Sequence, residues 1–139
     1  MPMAERGIVG VAAVVAVACL SVVGCGESGE EKDAAAVAER FHAALERDDG
    51  RAACEELSAT TRSAVERQEK APCDEAILRL DLPRSAAPEK SRVYLLSASV
   101  DLAGGSVTFL NEGPAGWRVS AAGCARSGPD RPYDCELEG

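Results

Sequence analysis

Ser91–Leu110, SRVYLLSASVDLAGGSVTFL, is where the apolar spacing of the chain changes from helical to alternating. Tyr94, Leu96, Ala98, Val100 and Leu102 alternate with Val93, Leu95, Ser97, Ser99 and Asp101, the period of a half-buried strand. Gly104-Gly105 then marks a hairpin, and Val107 and Phe109 are expected to continue the buried face on the returning strand. Asn111–Gly116 reads as a second turn. Trp117, Val119 and Ala121 form a third inward set, with Arg118 and Ser120 outward, up to Gly123-Cys124. Past a turn at Ser127–Asp130, the alternation of Tyr133, Cys135 and Leu137 fits a short edge strand. The expectation is a curved antiparallel sheet of three to four strands.

Upstream of this stretch the period is helical. Asp33 to Arg47 places Val37, Phe41, Ala44 and Leu45 on one stripe, extended by Ala34 and Ala38, with Asp33 as the expected cap. Arg51 to Gln68 reads as a second helical region broken near Ser58, where a hydroxyl can cap the restart. Pro72 suits the first turn of a third helix to about Leu80, with Cys73, Ala76, Ile77 and Leu80 on one face. Helices first and a meander after them make an α+β domain, with the helices packed on the sheet.

Further upstream the chain reads as an address. Ile8–Leu20 is an apolar core behind Arg6, and Val22-Val23-Gly24-Cys25 closes it. That ending resembles the lipobox of bacterial lipoproteins, which implies diacylglycerol on the Cys25 thiol and cleavage just before it. Two other readings compete: an uncleaved transmembrane anchor over the uncharged residues 7–26, and cleavage before Cys19. All three leave the rest of the chain outside the cytoplasm, because Arg6 stays inside. The expected organisation is therefore a signal peptide at 1–24, a lipidated acidic tether at 25–33 and one extracytoplasmic domain at 34–139. The expected location is the cell membrane, lipid-anchored and facing outward.

Removal of 1–24 takes away one arginine and one glutamate, so the net charge stays at −8. An acidic domain has little attraction for phosphate backbones or anionic lipid, so nucleic acid is excluded as a partner and membrane attachment falls to the lipid on Cys25. Aromatic residues are few, and a small domain with a light core often relies on covalent staples. With Cys19 removed and Cys25 lipidated, Cys54, Cys73, Cys124 and Cys135 remain, an even number that reads as two disulfides. Three pairings exist. Cys54–Cys73 and Cys124–Cys135 are favoured because each lies within one local unit. No C-x-x-C occurs and there is a single histidine, so no metal site is expected.

The order of elements resembles the nuclear-transport-factor-2-like, or cystatin-like, cone. Ala53-Cys54-Glu55-Glu56-Leu57, Pro72-Cys73-Asp74-Glu75-Ala76-Ile77, Gly116–Cys124 and Pro132-Tyr133-Asp134-Cys135 resemble a group of small exported actinobacterial lipoproteins with that fold. The resemblance implies a fold and no activity.

No residue pattern commits to chemistry. His42 has no local nucleophile or orienting acid and reads as a histidine on the flank of the first helix. By strand parity Asp101 falls on the face opposite Tyr94. Glu55-Glu56 and Asp74-Glu75 are adjacent helical residues, which do not face one another. The acidic tail lacks the glycine and ligand spacing of a calcium loop. No catalytic residue and no cofactor is expected. The function that follows is a non-catalytic, membrane-anchored binding or interaction module working beside another envelope protein. The alternative is a cone with a pocket for a small apolar ligand, walled by Phe41, Leu96, Phe109 and Trp117, possessing enzymatic activity or not.

Overall fold

The computed structural model describes residues 28–84 and 87–139, so the leader and Cys25 lie outside the described residues. Helix α1 runs over Gly29–Glu46. It starts well before the expected Asp33 because Ser28 and Glu31 form a capping box. The Glu31 amide donates to Ser28 Oγ at 3.2 Å, and the Ser28 amide donates to the Glu31 carboxylate at 2.7 Å. Residues expected as a solvated tether are thus the first turn of the helix. Glu30 is tied down there, accepting from Trp117 Nε1–H at 3.0 Å. The apolar stripe Ala34, Val37, Ala38, Phe41, Ala44 and Leu45 is buried, as its spacing implies.

The second helical region does break at Ser58. Helix α2 is Gly50–Glu55, capped by Asp49, and α3 is Ala59–Glu69, capped by Ser58. The link between them pairs with the sheet: Val119 N–H donates to Glu56 O at 2.9 Å and Ser58 N–H to Val119 O at 3.0 Å. Helix α4 is shorter than expected, Cys73–Ala76, followed by a 3-10 turn at Ile77–Arg79. Gly50 lies against the Asp74 carbonyl so closely that a Cβ would overlap it. This approach brings α2 onto α4, and the Cys54–Cys73 disulfide joins them.

The sheet has five antiparallel strands in sequence order: β1 Pro88–Tyr94, β2 Ser97–Leu102, β3 Val107–Gly113, β4 Gly116–Arg126 and β5 Tyr133–Glu138. This corrects the expected three to four. The stretch that reads as one strand from Ser91 to Leu102 is two strands joined at Leu95-Leu96, since Tyr94 pairs with Ser97. Two further corrections follow from register, because a slip of one residue turns every side chain to the other face. A turn of two residues at Gly104-Gly105 would pair Ala103 with Ser106, but Asp101 pairs with Val107. Val107 and Phe109 therefore face away from the helices, and Thr108 and Leu110 face them. On β4 a bulge at Ser120, between the pairs Leu110–Val119 and Phe109–Ala121, sends Ala121 to the outer face and Ala122 to the inner one.

The main core lies between the helices and the inner face of the sheet, around Phe41, Leu45, Ile77, Leu102, Leu110 and Leu137. A small second cluster sits on the outer face, where Val107, Ala121 and Cys124 meet Phe109, Tyr133 and Cys135. There Phe109 and Tyr133 stand edge to face at 5.0 Å, and the Cys124–Cys135 disulfide joins paired residues of β4 and β5. Both disulfides are local.

Candidate functional site

His42 is not on a helix flank but in the core, 1% exposed. Its Nδ1 lies 2.6 Å from Pro83 O and its Nε2 2.8 Å from Thr108 Oγ1. A carbonyl only accepts, so Nδ1 carries the proton and Nε2 accepts from the Thr108 hydroxyl. Burial pushes the imidazole below the ordinary histidine range, and the bond to Pro83 opposes that shift in part. A neutral ring with both nitrogens satisfied binds α1 to β3 and to the loop before β1.

Asp101 and Tyr94 both stand elsewhere. The Tyr94–Ser97 pairing reverses the parity of β1 relative to β2, so the two residues share the outer face rather than opposing ones. Asp101 is held by Arg92 through bonds of 3.2 and 2.8 Å. Tyr94 projects at the turn, 79% exposed. The expected ligand chamber also comes apart. Phe41 and Trp117 are in the inner core, Phe109 lies on the outer face, and Leu96 is 63% exposed.

Surface features gather at one end of the sheet instead. A row of cross-strand partners runs Tyr94, Ser97, Asn111, Arg118. Next to it Glu112 pairs with Trp117, and the Gly113–Gly116 turn closes the end. Helix α1 begins here, because Glu30 bonds Trp117, and it ascends to Thr108 through His42. Two grooves flank the turn. One, of about 340 Å³, lies against α1 and is lined by Glu30, Asp33, Val37, Arg40 and Trp117. The other, of about 330 Å³, lies against Leu57–Ala59 and includes Pro114 and Ala115. Glu112 and Arg118 line both. Glu112 shares the helix-facing parity of Thr108 and Leu110, so a carboxylate stands at the end of that face.

The same end carries the Tyr94-Leu95-Leu96 turn, 79%, 78% and 63% exposed. Leu95 holds φ at 55°, a conformation that tight hairpins usually give to Gly, Asn or Asp. An exposed leucine there goes against both hydration and backbone preference. Leu95→Asn is expected to raise the unfolding free energy by about 0.5–1 kcal/mol, because asparagine tolerates the left-handed region. Urea denaturation of the two proteins checks this, and a loss of stability would show that Leu95 packs in a way its exposure hides.

Sequence reading missed this end of the molecule for definable reasons. Ser28-x-x-Glu31 is a legible capping box. Leu95-Leu96 carries no turn residue, so nothing in its composition marks a reversal of the chain. Among the described residues no cluster of three or more His, Cys, Asp or Glu could hold a metal ion, and no helix is long and apolar enough to cross a membrane. No family model, curated protein or solved structure matches the chain.

Proposed function

We propose that this protein is a lipoprotein anchored through Cys25 on the extracytoplasmic side of the cell membrane, and that its domain is a non-catalytic interaction module for another envelope protein. The observation that carries the reading is the filled interior. Phe41, Leu45, Ile77, Leu110 and Leu137, each at most 1% exposed, occupy the space between α1 and the sheet where a cone fold would house a ligand. Binding then falls to the surface, and the grooves beside Gly113–Gly116 are its best-formed concavities near the anchored end. His42, Asp101 and Tyr94 stand at three separate places, which supports the non-catalytic reading. The succession of helices and antiparallel meander, with α1 crossing one face of the sheet, supports a nuclear-transport-factor-2-like or cystatin-like cone.

Two disulfides support an oxidising compartment. Intact mass spectrometry of protein extracted from membranes tests the anchor. The expected species begins at Cys25 and carries acyl chains, and Cys25→Ser is expected to abolish both cleavage and lipid. A full-length chain with a free Cys25 thiol would overturn the lipoprotein reading in favour of a transmembrane anchor.

A further inference from the structure

We propose that the Tyr94-Leu95-Leu96 turn is a membrane foot, seated in the interfacial layer of the bilayer that holds the N-terminus; this rests on the Cys25 anchor proposed above. Only Gly26 and Glu27 lie between Cys25 and Ser28, the cap of α1, a span of three residue steps. An extended chain covers about 3.5 Å per residue, so the start of α1 stands within about 10 Å of the anchored sulfur. The end of the domain where α1 begins therefore faces the bilayer. The turn belongs to that end. Tyr94 lies in one cross-strand row with Arg118, next to the Trp117 that holds Glu30. Adjacent strands are about 4.8 Å apart, which places the turn roughly 14 Å from Arg118 along the same edge. Leu96 O accepts from the Glu112 amide at 2.8 Å, so the turn is fixed to the end of the sheet.

The chemistry of the turn fits the boundary between headgroups and acyl chains. Two leucines offer apolar surface, and a tyrosine brings an apolar ring with a polar tip, the type enriched at that depth. Charge argues against attraction to anionic headgroups, since Glu30, Glu31, Asp33 and Glu112 stand at this end. The turn acts after the anchor has brought it to the surface, when burial of its side chains is an intramolecular step. Its consequence is orientation. The grooves beside Gly113–Gly116 are held at the membrane surface, open to partners lying there, and the β4–β5 loop points away.

The test uses the mature chain with its own anchor, reconstituted in phosphatidylcholine vesicles that carry bromine near the glycerol end of the acyl chains. Leu96→Trp adds an indole to the turn, and Ser127→Trp adds one to the exposed β4–β5 loop at the opposite end. Trp117, 4% exposed, is a common background. The expected result is that the Leu96→Trp emission shifts to the blue and is quenched, while Ser127→Trp emission does neither. Leu95→Trp is expected to repeat the result if Leu96→Trp disturbs the fold. Absence of quenching with lipid confirmed on Cys25 by mass overturns the foot and leaves the anchor standing. An unmodified Cys25 on a chain that leaves the vesicles overturns both. Equal quenching of the two tryptophans overturns the fixed orientation. Protection of the turn from hydrogen exchange in native membranes but not in pure lipid vesicles assigns it to a protein partner and overturns the foot as well.

Discussion

Replacing Cys54 and Cys73 together by alanine is expected to lower the unfolding free energy by about 3 kcal/mol. The bond spans 19 residues, and closing a loop of that length removes about this much entropy from the unfolded chain in the chain-entropy model. Domains of this size are stable by only about 5–15 kcal/mol, so the loss is a large fraction of the whole. The site adds to the effect. Cys54 and Cys73 are 1% and 2% exposed, and they sit where Gly50 brings α2 against the Asp74 backbone. Without the bond that approach has no covalent support. The midpoint of urea unfolding, with the slope unchanged, measures the loss. The Cys124–Cys135 bond closes a loop of 11 residues between strands that already pair, so its removal should fray β5 before it unfolds the domain. A loss under about 1 kcal/mol for the Cys54/Cys73 pair would mean that the unfolded chain is already compact around this loop.

The helices and the cysteine pairing were legible because their signals are local. The α1 stripe, the Ser58 restart and the closeness of each cysteine pair need nothing from distant parts of the chain. The sheet was legible in kind and not in register. Alternation over Ser91–Leu102 is real on both sides of Leu95-Leu96, but a turn made of two leucines gives no composition signal, so two strands read as one. One residue more in the β2–β3 loop then moved Phe109 from the expected core to the outer cluster. These are long-range facts, set by which pairing best fills the space beneath α1. The same errors hid the candidate site. Its exposed turn lay inside a predicted strand, and Glu112 lay inside a predicted turn although it belongs to β3.

Orientation ties the two surface features together. If the lipid on Cys25 set only proximity, the domain would tumble on its short link and the grooves would have no fixed outlook. The second contact proposed at the Tyr94–Leu96 turn would remove that freedom, since two separate points of attachment define an edge. The grooves beside Gly113–Gly116 would then be held at the bilayer-facing end of the domain. A partner meeting them would have to approach along the membrane plane.

His42 is where acid is expected to act. The folded protein holds its imidazole neutral and below the ordinary range, whereas the unfolded chain exposes a histidine of ordinary pKa, about 6.5. Between the lowered pKa and about pH 6.5 the unfolded state binds more protons, so stability rises with pH across that window. The contribution is complete above it and is lost as pH falls through it. Burial of the ring is the reason, and the geometry shows what a second proton would meet there. A second proton on Nε2 would meet a Thr108 hydroxyl that now donates, forcing it to turn in a site where Thr108 is itself 0% exposed. Removing the ring altogether is expected to be worse: His42→Ala leaves Pro83 O and Thr108 Oγ1 without partners and opens a cavity, a loss of about 3 kcal/mol at neutral pH. His42→Gln separates the two effects. It keeps an amide donor and acceptor on the same helix position but does not titrate. Urea unfolding of wild type and His42→Gln from pH 7.5 to pH 5 should show the stability difference between them shrinking as the pH falls. Parallel curves would mean that His42 takes up its proton at the same pH in the folded and unfolded chains, and that the acid sensitivity of the fold lies in other groups.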